Sequence, residues 1–142
     1  MKPIVELLRN RSEDIYKIAP EVMVFDGLKL LSDYGVGAIL VMDGDTLAGV
    51  FSERDYTRKV ALQGRNSRET PVSAIMTRDV ITVSPQTRTR ECMALMSQHK
   101  IRHLPLVDNG KVLGMISIRD IMDDIIADHE QTIAQLQTYI TS

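Results

Sequence analysis

Two short stretches of this chain combine residue types that could grip a small polar ligand. They are Gly49-Val50-Phe51-Ser52-Glu53-Arg54-Asp55-Tyr56 and Gly114-Met115-Ile116-Ser117-Ile118-Arg119-Asp120-Ile121. In each, an aspartate follows a serine by three residues, an arginine stands just before the aspartate, and a glycine precedes the serine by three. A carboxylate only accepts hydrogen bonds, and it can take two O–H groups at once. The adjacent hydroxyls of a sugar have the matching separation, so Asp55 and Asp120 are candidate grips for such a diol. Where a serine starts a helix, the backbone amides beside Ser52 or Ser117 suit a phosphate. Arg54 and Arg119 could neutralise that phosphate through paired bonds. The same pattern also has a purely structural reading. Ser-x-x-Asp at a helix start is a capping arrangement, in which the hydroxyl accepts from the N3 amide and the acid suits the helix dipole. Capping explains each serine and aspartate but neither the glycine nor the arginine. For each arginine the plain alternative is a solvated surface charge.

The elements that must position these groups are legible because the chain repeats itself, and a repeat decides the fold before any local pattern does. A shift of 65 positions without a gap brings Pro20 onto Pro85, Leu30 onto Leu95, Ser32 onto Ser97, Asp43 onto Asp108 and Gly49 onto Gly114. The same shift brings Ser52, Arg54 and Asp55 onto Ser117, Arg119 and Asp120. Each copy opens with a short β-rich piece, 15–18 or 80–83, closed by a proline. A helical stretch follows, with Leu28, Leu30 and Leu31 in one copy and Cys92, Met93, Leu95 and Met96 in the other. Continuous apolar runs come next, Ala38-Ile39-Leu40-Val41-Met42 and Leu104-Pro105-Leu106-Val107, of the kind buried on both faces. Asp43-Gly44-Asp45 and Asp108-Asn109-Gly110-Lys111 supply hairpin turns, and a second helix begins at Ser52 or Ser117. The order in each copy is strand, helix, strand, strand, helix, an α+β unit.

The division this gives is an N-terminal helical extension (1–14, with Ile4, Leu7 and Leu8 on one face), a first unit (15–62), a connector with a brief helix from Pro71 (63–79), a second unit (80–127) and a C-terminal helical extension (128–142). The last helix is expected to run from Arg119 towards Tyr139. Ile121, Ile125, Ile126, Ile133, Leu136 and Ile140 form its apolar stripe, which either packs on its own unit or makes a dimer contact.

Bulk properties narrow the function class. The chain has 142 residues, 44% hydrophobic and 25% charged, with net charge -2. This is globular composition, without the basic excess that a nucleic-acid footprint needs. A single cysteine, Cys92, excludes an internal disulfide or thiolate-rich metal site and reads as a buried thiol. An early charge at Lys2 argues against a signal peptide, and no apolar run reaches membrane-spanning length. A cytoplasmic location is expected. His99 and His103 are four apart like zinc ligands, but the chain heads into a strand and no third ligand follows. Asp43-Gly44-Asp45 starts like a calcium loop, yet Arg54 stands where a bidentate Glu is required. No phosphate loop, nucleophile elbow or Cys-x-x-Cys is present, so no metal and no catalysis are expected.

The doubled Gly-apolar-apolar-Ser-x-Arg-Asp motif, the repeat length, the proline before each first helix and His103-Leu104-Pro105-Leu106-Val107 together resemble the CBS domain family over nearly the whole chain. The resemblance implies two pseudo-symmetric units packed antiparallel as one CBS pair, here standing alone, with two nucleotide clefts between them. In the first cleft it places Ser52, Arg54 and Asp55 opposite Val80, Ile81 and Thr82 and the run from His99 to His103, with Lys100, Arg102 and His103 available to phosphate. In the second it places Ser117, Arg119 and Asp120 opposite Ile15, Tyr16, Lys17 and the run Tyr34, Gly35, Val36, Gly37 and Ala38. Base-pocket candidates are Lys17, Ile18, Val36, Gly37, Ala38, Ile81 and Thr82. The implied ligand is an adenine nucleotide: AMP first, with NAD, ADP, ATP or S-adenosylmethionine as others. The first cleft should favour AMP-like charge and the second something bulkier such as NAD. The implied function is a regulatory sensor that dimerises through its helices and signals to a separate protein. The competing reading is an adaptor dimer that binds no nucleotide.

Overall fold

The computed structural model describes residues 3–8 and 15–141. Residues 9–14 of the expected N-terminal extension, and the side chains of Leu8, Tyr139 and Ile140, lie outside what is described. The elements are α1 (Val5–Leu8), β1 (Lys17–Ile18), α2 (Val24–Tyr34), β2 (Ala38–Asp43), β3 (Thr46–Ser52), α3 (Glu53–Tyr56), α4 (Thr89–His99), β4 (His103–Asp108), β5 (Lys111–Ser117) and α5 (Ile118–Thr141). A π-helical turn, Thr57–Ala61, continues α3, and the helix after Pro71 is a single 3-10 turn, Val72–Ala74.

The two hairpins match in register. Ala38 pairs Ser52 through Asp43 with Thr46, and His103 pairs Ser117 through Asp108 with Lys111, each with a register shift at the same aligned place. Their turns satisfy the strand twist by different chemistry. Asn109 and Gly110 both take positive φ (50° and 79°), whereas copy one places a single positive-φ glycine, Gly44, first in its turn.

The expected first strands differ. Lys17–Ile18 pairs in parallel with Leu40 and Val41, but in copy two only an isolated Val83–Leu106 bridge forms. Proline is the cause. The Leu40 amide donates to the Tyr16 carbonyl at 3.3 Å, while the aligned Pro105 has no N–H to offer Ile81.

One face of each hairpin builds a core. Ile39, Val41 and Phe51 pack with Val24, Leu31 and Val60 in the first unit; Leu104, Leu106 and Ile116 pack with Cys92, Met96 and Ile121 in the second. Cys92 is fully buried, and burial, with Glu91 beside it, pushes its thiol pKa up to about 11. It is an unreactive core thiol. Two segments outside the repeat join these cores. Val72, Ile75 and Met76 of the connector are buried in the first. Ile4 is buried in the second, its amide donating to Thr87 O at 2.9 Å.

Helix α5 packs on the second core through Ile121 and Ile125. Beyond them Met122, Ile126, Ile133 and Leu136 are each more than half exposed. The start of the stripe covers its own unit, and Ile126, Ile133 and Leu136 lie bare in the single chain. Among the described residues, no helix is long and apolar enough to cross a membrane.

Candidate functional site

The paired motifs sit where β3 and β5 turn into helices. Ser52 is the extended N-cap of α3 and forms a capping box with Asp55. Asp55 Oδ2 accepts from Ser52 N at 2.9 Å and Ser52 Oγ at 3.0 Å, and Asp55 N donates back to Ser52 Oγ at 3.2 Å. Copy two repeats this. Asp120 Oδ2 accepts from Ser117 N at 2.8 Å and Ser117 Oγ at 2.9 Å, and Asp120 N donates to Ser117 Oγ at 3.2 Å. The first helical amides are tied symmetrically as well, Glu53 N to Gly37 O at 3.0 Å and Ile118 N to Arg102 O at 2.8 Å. Capping is therefore present in both copies, and it fixes each carboxylate against the chain turn that carries it.

Beyond the cap the two carboxylates differ. Asp55 is nearly buried, and its Oδ1 accepts from Thr77 Oγ1 at 3.2 Å and pairs with Lys59 Nζ at 3.1 Å. A carboxylate has about four lone-pair positions, and each of those on Asp55 has a donor. Asp124 stands at the position aligned with Lys59, so the neighbour of Asp120 one helical turn on carries the opposite charge.

Each motif opens onto a cavity whose other wall comes from the opposite unit. The first, of about 260 Å³, brings Ser52, Arg54 and Asp55 together with Ile81, Lys100, Arg102 and His103. The second, of about 700 Å³, brings Ser117, Arg119 and Asp120 together with Val36, Gly37, Ala38 and again Arg102 and His103. Gly37 and Ala38 line both. The His103 ring passes over Gly37, where an added β-carbon would lie 3.6 Å from it. Thr82, Lys17 and Ile18 line neither cavity. Ile18 is a core residue, and Ile15 and Tyr16 make that wall. Sequence reasoning did not single out Arg58, Thr77 or Asp79 in the first cavity, nor Leu40, Leu113 and Met115 in the second. Thr77 and Asp79 lie just ahead of the second unit as the sequence divides it, although the same shift brings them onto Ser12 and Asp14.

Charge is unevenly spread. Arg54, Arg58, Lys100 and Arg102 line the first cavity against Glu53, Asp55 and Asp79; Arg102 and Arg119 line the second against Asp120. Arg54 reaches across the first cavity, its guanidinium donating to Lys100 O at 3.3 Å. Burial lowers the pKa of His103; Asp120 opposes this, and Arg102 and Arg54 add to the lowering, so the ring is neutral near pH 7. Among the described residues no group of three or more His, Cys, Asp or Glu side chains could hold a metal ion.

Lys100 ends α4 in the left-handed conformation, φ 55°, where the aligned residue after α2 is Gly35 at φ 67°. A residue with a β-carbon spends about 1 kcal/mol there. Lys100→Gly is expected to hold or raise stability, by up to about 0.5 kcal/mol after the extra unfolded-chain entropy, while weakening anion binding in the first cavity. Thermal melting and inorganic phosphate titration check the two halves; a lower melting temperature would show that the strain is absent.

A family model described as the CBS domain matches residues 6–62 and 72–127. The chain is 38% identical over 122 residues to the mitochondrial CBS domain-containing protein CBSX3 of Arabidopsis thaliana, covering 82% of this chain and 59% of that protein. It is 31% identical over 104 residues to the CBS domain-containing protein YhcV of Bacillus subtilis, covering 73% and 74%. A structure of a protein with CBS domains from Burkholderia ambifaria superposes with TM-score 0.86 at 45% identity, covering 89% of this chain and 96% of that one. A CBS domain protein from Pyrobaculum aerophilum, complexed with AMP, superposes with TM-score 0.73 at 26% identity, covering 83% and 88%. With the motif doubled, the hairpins in matching register and the family model covering both copies, the chain belongs to the CBS domain family and carries two CBS domains packed as a pair.

Proposed function

We propose that this protein is a regulatory adenine-nucleotide sensor with two unequal clefts, and that it binds its ligands without transforming them. The observation that carries the reading is the duplicated Ser-x-Arg-Asp set, each copy at the edge of a cavity closed by the opposite unit. The AMP bound to the Pyrobaculum relative supports the ligand class. Asp55 and Asp120 hold the ribose diols. At Asp55 the diol replaces the Thr77 hydroxyl or the Lys59 ammonium, since both bond Oδ1. Arg54, Lys100, Arg102 and His103 meet phosphate in the small first cleft, which suits AMP. The larger second cleft, with Ser117 and Arg119, admits NAD, ADP, ATP or S-adenosylmethionine.

A nucleotide wedged between the units stabilises one arrangement of them, and that arrangement is what a partner protein reads. The bare part of α5 offers a surface for a second copy of the chain or for that partner.

A second reading keeps one observation on its side: both aspartates already accept through Oδ2 from the serine of their own cap. On that reading the protein is an adaptor dimer with idle clefts. Thermal melting separates the two. A ligand at a hundred times its dissociation constant adds about 2.7 kcal/mol, a rise of roughly 5–10 °C for a chain of this size. Flat melting curves with AMP, ADP, ATP, NAD and S-adenosylmethionine alike would leave the adaptor.

A further inference from the structure

The second cleft carries an aromatic feature that the first lacks. Tyr16, just ahead of β1, and Tyr34, the last residue of α2, lie ring on ring with centroids 4.0 Å apart and planes 8° from parallel. Both line the second cavity, yet they stay 37% and 41% exposed. The aligned positions in the first cleft are Ile81, which lines it, and His99, which does not. Aromatic pairs prefer offset or edge-on geometry at 4.5–7 Å. A near-parallel stack this close covers one face of each ring and fixes the two planes against each other, while the exposure that remains keeps aromatic surface available in the cavity. The second cavity has fewer cations along its wall, but also fewer acids, so the two walls carry the same net charge and the ring pair is the larger difference between them.

We propose that the Tyr16–Tyr34 pair is a preformed stacking platform for the planar base of a nucleotide, and that it sets the specificity of the second cleft. This rests on the nucleotide-binding reading and adds a division of labour to it. The first cleft selects by phosphate charge; the second selects by an aromatic ring. Because the rings already brace each other, the platform loses little side-chain freedom when a base docks.

The chain has four tyrosines and no tryptophan, so once Tyr56→Phe and Tyr139→Phe remove the other two, tyrosine emission reports on the pair. AMP is expected to quench it through the second site. Ribose 5-phosphate, with the same sugar and phosphate but no base, is expected to leave emission unchanged and to bind that site more weakly. In calorimetry, with Asp120→Ala marking which site is which, Tyr16→Leu and Tyr34→Leu should each weaken second-site AMP binding by about 5- to 150-fold, the range for losing base stacking. Tyr16→Phe and Tyr34→Phe should retain it, and the first site should be unaffected throughout. Equal affinity of the leucine variants and the parent, or of ribose 5-phosphate and AMP at the second site, would overturn the platform and leave the sensor reading standing. No AMP binding by the parent protein would overturn both. The emission experiment keeps both rings of the pair in place, so it decides the matter even where a leucine variant folds poorly.

Discussion

Asp55→Ala is expected to weaken AMP binding in the first cleft by about 30- to 1000-fold and to leave the second cleft within about twofold of the parent. The estimate takes two charge-assisted bonds to the ribose at about 1.5–3 kcal/mol each, less what water restores, for a net of roughly 2–4 kcal/mol. The structure adds a qualification with a sign. Asp55 already accepts from Ser52 N, Ser52 Oγ, Thr77 Oγ1 and Lys59 Nζ. Ligand affinity there is a difference between the diol and the donors it displaces, which pulls the effect towards the lower end. The same crowding means that alanine also removes half of a capping box, at about 1 kcal/mol. Lys59 is 40% exposed and keeps its bond to Ile75 O at 3.0 Å, so the lost ion pair adds little.

Asp55→Asn separates the two effects. Its carbonyl oxygen can still accept from Ser52 N, so stability should stay near the parent. Its amide cannot accept at the second position, so affinity should still fall. Two-site calorimetry with urea denaturation reads both quantities. Full AMP affinity in the asparagine variant, or equal losses at both clefts in the alanine variant, would show that Asp55 does not hold the sugar of a ligand in the first cleft.

Much of this arrangement could be read in advance, and the rest resisted for identifiable reasons. The repeat exposed both hairpins because turn chemistry is local: Gly44, Asn109 and Gly110 take the positive φ their types favour. Capping was equally local, confined to Ser52 with Asp55 and Ser117 with Asp120. The wall beside β1 was less accessible. Side chains alternate across a strand, so an error of one residue moves a side chain to the other face. Tyr16 and Ile18, two apart, would share a face of a regular strand. Only Lys17–Ile18 pairs, so Tyr16 stands ahead of the strand and lines the cavity while Ile18 enters the core, and no alternation pattern could show that. The missing strand in copy two needed knowledge of a pairing. Pro105 is plain in the sequence, but its consequence appears only once it stands where Leu40 meets the Tyr16 carbonyl. Long-range contacts were least accessible. Thr77 reaches Asp55 over 22 positions, and Ile4 joins the core of the distant second unit, and no local pattern signals a contact of that range.

The glycine that precedes each serine by three residues was the part of the motif that capping left unexplained, and Gly49→Ala is expected to show its purpose in the first copy. A β-carbon on Gly49 would lie 2.6 Å from the backbone oxygen of Thr77, 2.9 Å from Met76 Sδ and 3.0 Å from Met76 Cγ. The methionine side chain can swing aside, but the carbonyl cannot move alone. Thr77 O accepts from Val50 N at 3.0 Å, and Thr77 N donates to Val50 O at 2.9 Å, so the connector is hydrogen-bonded along β3 at this point. Relieving the clash means displacing that pair or overpacking a buried strand. The expected cost is about 2–4 kcal/mol, combining overpacking with at least one strained or lost backbone bond. The displacement should reach the ligand. Thr77 also bonds Asp55 Oδ1, and Thr77, Asp79 and Val80 line the first cavity. AMP affinity in the first cleft should therefore change along with stability, although Gly49 lines neither cavity, while the second cleft should keep its affinity. Urea denaturation and two-site calorimetry on the same variant read both. A stability loss under about 0.5 kcal/mol would mean that the connector yields without cost, and that close backbone approach is not what holds a glycine at this position.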